Sequence, residues 1–184
     1  MTTHPRVGAR PAGPLGGAQT YPRGMQVVSA EEAVAGIRSG DQLYLQCAAA
    51  TPSVLLDALV ARAPELRDVS VVHLHCEGPG PHLAPEMEGH FRHRALFIGA
   101  NARAAVNEGR ADYIPAFLSD VPRLFVAGLL PLDAVFVNAT PPDAHGFCSL
   151  GTSVEAMHAA IRAAKTVVVQ LNSGMPRTLG EIPR

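Results

Sequence analysis

Residues 138–155, NATPPDAHGFCSLGTSVE, pack two prolines, an aspartate, a histidine, two glycines, a cysteine and several hydroxyls between two apolar runs. Cys148 lies three residues after His145, and a thiolate nucleophile needs a nearby base and preferably a helix N-terminus. Three residues in an irregular loop need not face each other, so Cys148 reads first as a small apolar packing residue. Ser149, Thr152 and Ser153 are each able to cap a following helix, and Thr152 or Ser153 with Glu155 in the first turn predicts where it starts.

Two other stretches carry candidate chemistry. In VVHLHCEG, His73 and His75 alternate along a β-type run with Cys76 and Glu77 behind them, and an H-x-H at a strand end can begin a metal site. The further ligands such a site needs are not evident, so no metal is expected: His73 is read as a hydrogen-bonded interior or interface residue and His75 as lying near a ligand. His90 and His93 in HFRHR read as part of a solvated turn. In CAAATPS, Ala48, Ala49 and Ala50 separate a strand from a helix N-terminus, where unpaired N–H groups favour an anion and small side chains admit it. The same alanines also suit a plain tight turn. There is no G-x-G-x-x-G, Walker loop, C-x-x-C or G-x-S-x-G in the chain, which argues against nucleotide hydrolysis, redox metal chemistry and an esterase elbow.

The elements that must position these residues alternate. SAEEAVAGIRSG has capping-box spacing from Ser29 to Glu32 and a glycine stop at Gly40. Strand-type runs follow at 41–47, 69–75, 94–99, 132–140 and 166–172, and helical patterns lie after Thr51–Pro52, which read as a helix cap and first-turn pair, over NARAAVNEG and over SVEAMHAAIRAAK. Several of the runs are continuously apolar, as strands buried on both faces are. The pattern predicts a Rossmann-like α/β fold, a mostly parallel open sheet with helices on both faces, over residues 25–184. Residues 1–24, rich in Pro and Gly, predict a disordered tail. Ligands of such sheets sit beyond the carboxyl ends of the strands, which makes the loops after Cys47, His75, Gly99, Asn138 and Asn172 the candidates.

Composition narrows the partners. The 184 residues are 47% hydrophobic and carry a net charge of −1, with no basic stripe, so no nucleic-acid partner is expected. No apolar run approaches the roughly 20 residues of a membrane span, and the N-terminus lacks an apolar signal core, so no membrane partner is expected. Three widely spaced cysteines fit a reducing compartment, the cytoplasm by default.

Four features together resemble the acetyl-CoA hydrolase/transferase family, which includes acetate and 4-hydroxybutyrate CoA-transferases: GRADYIPAFLSDVPRLF at 109–125, PPDAHGFCSLGTSVE at 141–155, NSGMPRTLG at 172–180, and the order of the strands between them. The resemblance runs from about the first helix to the end of the chain. It implies two similar α/β halves with the active site between them. In that family a glutamate of the second half attacks the acyl-CoA thioester, forms an acyl anhydride and then a glutamyl-CoA thioester, which an acceptor carboxylate resolves. This sequence ends at MPRTLGEIPR, before that half. Glu77, Glu86, Glu88 and Glu181 lie outside the relevant motif, and no catalytic residue is assigned. The resemblance therefore implies an N-terminal half or subunit, inactive without the glutamate-bearing half. Its implied substrates are a coenzyme A thioester and a small carboxylate, with no covalently bound cofactor. Its implied partner is a second half or subunit in a hetero- or homo-oligomer, and the alternative is a non-catalytic scaffold of the same fold. Implied substrate-binding residues are Ala48, Ala49 and Ala50, then His145, Gly146 and Ser149, and finally Asn172, Met175 and Arg177. The loop at 141–153 and the segment at 172–180 would line the cleft.

Overall fold

The computed structural model describes residues 6–8 and 26–179. Eight strands form one sheet: β1 (Arg6–Gly8), β2 (Gln26–Val28), β3 (Gln42–Leu45), β4 (Val69–His73), β5 (Phe91–Ala95), β6 (Ala111–Tyr113), β7 (Ala134–Ala139) and β8 (Thr166–Leu171). Their order across the sheet is β2-β1-β8-β7-β3-β4-β5-β6, and every pairing among them is parallel. The fold is the expected Rossmann-like α/β sheet. From β3 the chain builds outward through β4, β5 and β6, then returns at β7 on the other side of β3. That reversal opens a crevice at the carboxyl ends of β3 and β7.

Helices α1 (Ala30–Val34) and α2 (Ser53–Ala61) cover one face, α4 (Val121–Val126) and α5 (Met157–Ala163) the other, and α3 (Arg103–Asn107) packs near β6. Alternate residues of each central strand enter opposite cores: Leu43, Leu45, Val71 and Phe136 pack with α1 and α2, whereas Tyr44, Val72, Val135 and Val137 pack with α4 and α5. This is why β3 and β7 are apolar without alternation, since both faces of each are buried. Each fully buried leucine contributes about 2 kcal/mol of transfer free energy.

Several local expectations change. Ser29 caps α1 as predicted, accepting a hydrogen bond from the Glu32 N–H at 3.2 Å. Thr51 does not cap α2: its hydroxyl donates to the Ala48 carbonyl instead, and Pro52 stands at the cap position without a side-chain bond. Neither Thr152 nor Ser153 caps α5, which begins later, after Ala156; Glu155 sits at a positive φ of 32° before it. The run at 94–99 is out of register by several residues, because the strand is Phe91–Ala95 and HFRHR belongs largely to it. His93 is thus a buried strand residue, not part of a solvated turn. The proposed tail is also interrupted. Arg6–Gly8 forms a strand between β2 and β8, because three ladder-forming backbones gain hydrogen bonds there even without an apolar run. The rest of residues 1–24 lies outside the described residues.

Candidate functional site in the carboxyl-end loops

A row of amide side chains crosses the carboxyl ends of three adjacent strands. Asn138 of β7 is paired with Gln170 of β8 in register, and Gln46 follows Leu45, which is in register with Phe136 of β7. All three are buried. The two glutamine amides each serve a neighbouring segment. Gln46 Nε2 donates to the carbonyls of Ser153 at 2.6 Å and Leu150 at 3.2 Å, while its Oε1 accepts from the Asn138 N–H at 2.6 Å. Gln170 Oε1 accepts from the Val54 and Leu55 N–H groups, at 3.1 and 3.4 Å. The first turn of α2 is therefore capped from across the sheet. Asn138 Oδ1 is buried and makes no hydrogen bond.

The Ala48–Ala50 loop consequently offers fewer backbone donors than its sequence implies. The N–H groups of Ala48, Ala50 and Thr51 bond to His75, Cys47 and Ala48 carbonyls, and Ser53 N–H bonds to Thr51. Ala48 adopts a left-handed φ of 51° and bridges Cys76, so this turn is stitched to the loop after β4. Its exposed residue is Ala49; Ala50 is buried and Ala48 half-buried.

The loop after β7 is closed by hydrogen bonds between its own residues. Thr140 and Ser149 form its neck: Thr140 N–H donates to the Ser149 carbonyl, and Ser149 N–H donates to Thr140 Oγ1, both at 2.9 Å. At the tip, Asp143 Oδ1 accepts from the His145 and Phe147 N–H groups at 2.9 Å. These backbone bonds, the Phe147 one first, hold the Asp143 carboxyl below the usual aspartate range. Gly146 takes a φ of 85°, which lets the tip turn. His145 is exposed, with Gly146 half-buried beside it.

The segment after β8 staples this loop. Arg177 Nη2 donates to Thr140 Oγ1 at 3.0 Å and to the carbonyls of Pro141 at 2.7 Å and Phe147 at 3.1 Å, and its Nη1 reaches Asp143 Oδ2 at 3.4 Å. Ser149 Oγ accepts from the N–H groups of Gly151 and Thr178 and contacts Thr178 Oγ1 at 2.9 Å. Met175 is buried against Gly151, whose φ is 67°; a Cβ at Gly151 would lie 2.2 Å from the Met175 sulfur. Asn172 Oδ1 accepts from the Gly174 N–H at 2.9 Å. The structure thus brings His145, Gly146, Ser149, Met175 and Arg177 into one assembly, but Ser149, Met175 and Arg177 spend their contacts on holding the two segments together. Arg177 has its acidic partner within this chain, in Asp143.

Cysteine chemistry is disfavoured by the same environment. Cys47 is fully buried, accepts the Leu74 N–H at 3.3 Å, and has its thiol pushed up to about 12 by burial. Burial also raises the Cys148 thiol, so neither is a thiolate at neutral pH. Cys148 instead lines an apolar groove of about 430 Å³ beside α5, with Val137, Ala139, Leu150 and Val169.

Sequence reasoning missed Gln46, Gln170 and Thr140. Their signal was present: Gln46 and Thr140 directly follow apolar strand runs, and Gln170 is the next-to-last residue of one. Among the described residues no helix is long and apolar enough to cross a membrane.

A parallel sheet whose order reverses at β3 and β7, with a stapled loop after β7, defines an α/β domain of the doubly wound class. The chain belongs to the acetyl-CoA hydrolase/transferase family, whose N-terminal domain matches residues 18–182. It is 44% identical over 153 residues to a succinyl-CoA:acetate/propanoyl-CoA:succinate CoA transferase of Fasciola hepatica, covering 82% of this chain and 32% of that protein. It is 39% identical over 156 residues to the 4-hydroxybutyrate coenzyme A transferase of Clostridium kluyveri, covering 85% and 36%. Among solved structures, RipA from Yersinia pestis superposes with a TM-score of 0.74 at 28% identity, over 82% of this chain and 37% of that one. A 4-hydroxybutyrate CoA-transferase from Porphyromonas gingivalis superposes with a TM-score of 0.68 at 31% identity, over 84% and 35%. The chain spans about a third of the length of the curated relatives it matches.

Proposed function

We propose that this chain is the N-terminal half of an enzyme that transfers coenzyme A between small carboxylic acids, and that the nucleophilic glutamate comes from a second half, on the same or another polypeptide. The observation that carries the reading is the apolar rim at the carboxyl ends of the strands. Phe97 after β5, Phe117 and Leu118 after β6, Phe147 after β7 and Leu179 after β8 are 59%, 79%, 63%, 56% and 94% exposed. Large apolar side chains gathered on one rim favour a partner surface. A second half docked there closes the cleft and makes a hetero- or homo-oligomer unnecessary only if both halves share one chain.

In the closed cleft, His145, Gly146 and Asn172 face the acyl and carboxylate groups, with Ala48–Ala50 forming a close-approach floor. Ser149, Met175 and Arg177 act as positioning residues, because their own polar atoms and surfaces are engaged by the loop. The second half's glutamate attacks the thioester carbonyl and expels the CoA thiolate, leaving a mixed anhydride. The thiolate then attacks the glutamyl carbonyl, releasing the first acid as its carboxylate. An acceptor carboxylate reverses both steps. Water exclusion by the docked half decides between transfer and hydrolysis. The three free cysteines support a reducing, cytoplasmic setting.

The test is reconstitution. The chain alone, given acetyl-CoA and a panel of short carboxylates, shows no CoA transfer; mixed or fused with a glutamate-bearing C-terminal half of a close relative, it does. His145→Ala in the reconstituted enzyme lowers kcat/KM by about 10-fold or more with unchanged circular dichroism. Turnover by the isolated chain overturns the placement of the nucleophile. A well-formed complex with no turnover overturns the catalytic reading in favour of a scaffold.

A further inference from the structure

Three histidines that the sequence leaves apart converge inside the molecule, away from the stapled loop. His73 ends β4, His93 lies in β5, and His82 sits in the short 3-10 turn Pro81–Leu83 between those strands. They are 1%, 1% and 2% exposed. One ring nitrogen from each lies within 4.8 Å of the other two, and the rings of His73 and His93 meet edge to face with centroids 4.4 Å apart. Six ring nitrogens share one hydrogen bond, between His82 Nε2 and His93 Nδ1 at 3.0 Å. The other four, both of His73, Nδ1 of His82 and Nε2 of His93, are buried without a partner.

That concentration of unpaired polar atoms runs against the usual economy of protein interiors, where an unsatisfied buried group costs about 1–3 kcal/mol. Hydration does not relieve it. A cavity of about 10 Å³ adjoins His82 and His93, room for about one water, but His73 is not among its lining residues. Burial holds all three imidazoles neutral at physiological pH, with His82 and His93 depressed to about 3 and 4. Neutral imidazole is the form that ligates a metal.

We propose that His73, His82 and His93 form a structural site for a divalent transition cation, zinc first among them. Zinc–nitrogen bonds of 2.0–2.1 Å in tetrahedral geometry place ligand nitrogens about 3.4 Å apart, close to the separation already present between His82 and His93. The cation takes the place of the hydrogen bond in that pair, the shared proton moving to the other nitrogen of its own ring so that each neutral imidazole offers a lone pair; it draws in one nitrogen of His73 and takes a water from the adjoining cavity as its fourth ligand. Imidazole donors without carboxylate or thiolate suit zinc over calcium or magnesium. The bound cation ties the end of β4 and the middle of β5 to the turn between them, and so steadies the His75–Cys76 segment that bridges to Ala48. It takes no part in acyl transfer, so the site stands or falls independently of the proposed function.

The experiment uses the untagged full chain, stripped with chelator and reloaded with Zn2+ or Co2+. The expected result is one metal per chain by elemental analysis, a tetrahedral Co2+ absorption band between about 500 and 650 nm, and X-ray absorption of the zinc form showing imidazole nitrogens at about 2.0 Å with no sulfur. Free zinc at 100 times its Kd raises Tm by about 5–10 °C. His82→Gln weakens zinc binding by about 100-fold or more and abolishes the Tm shift. Less than about 0.2 metal per chain, a sulfur-containing shell, or undiminished binding in His82→Gln overturns the site. Should His82→Gln fail to fold, the zinc-dependent shift of the His73 and His93 ring 15N resonances in the wild-type chain decides the same question: their absence refutes the proposal.

Discussion

Lowering the pH from 7 to 5 asks the unfolded chain to take up protons that the folded chain refuses. His73, His82 and His93 are depressed by burial, with repulsion between the rings lowering His73 and His82 further. Asp112 pulls His93 the other way but does not restore it. In the unfolded chain each histidine titrates near 6.5. Below that value the unfolded state holds more protons than the folded one, so stability rises with pH. The contribution is complete above about pH 6.5 and is lost progressively as pH falls toward the folded values of about 3 to 4. Between pH 7 and 5 His82 and His93 each cost about 2 kcal/mol, together about 4 kcal/mol at a limiting slope of about 3 kcal/mol per pH unit, and His73 acts in the same direction. That is a large share of the 5–15 kcal/mol typical of a domain. The carboxylates lowered by ion pairs or backbone bonds, Asp112, Asp133 and Asp143, lose their contribution only below about pH 4, outside this window. Urea unfolding followed by far-UV circular dichroism, in chelator to exclude metal, measures the effect at pH 7, 6 and 5. A change below about 1 kcal/mol across that range would refute the claim that the three rings stay neutral in the fold.

Two substitutions probe the carboxyl-end scaffold. Gly151→Ala puts a Cβ 2.2 Å from the Met175 sulfur at a backbone φ of 67°; strain and displacement together cost about 3 kcal/mol, and thermal unfolding should fall by about 6–12 °C. An unchanged Tm would mean that the segment after β8 does not seat on the loop as described. Gln46→Leu strips the partners from Leu150 O, Ser153 O and the Asn138 N–H, at about 1–3 kcal/mol for each group left buried. Native-state hydrogen exchange at Asn138 should accelerate at least 10-fold, and exchange at the wild-type rate would remove Gln46 from the network.

Much of this protein was determined along the chain itself. Continuous apolar runs in β3, β7 and β8 required burial on both faces, and that requirement, with helices between, leaves a parallel α/β sheet as the consistent outcome. Ser29 capping α1 was equally local, since a cap bonds three residues ahead. The loop 141–153 and the segment 172–180 were legible as motifs because the family resemblance rests on them, and because prolines fix φ and glycines admit positive φ wherever they occur. What the tertiary structure decided was everything that depends on residues far apart in sequence. Thr51 could cap α2 by spacing, but Gln170, more than a hundred residues away, reaches the first turn instead. Arg177, implied as a cleft residue by the resemblance, staples the loop because β8 carries it back to Thr140 and Phe147. His93 read as solvent-facing among arginines; the alternation of β5 turns it inward while Arg92 and Arg94 stay half-exposed. Side-chain direction on a strand is set by which neighbour pairs with it, and pairing between parallel strands is fixed by the whole sheet, so only the assembled fold could bring three separate histidines to one point.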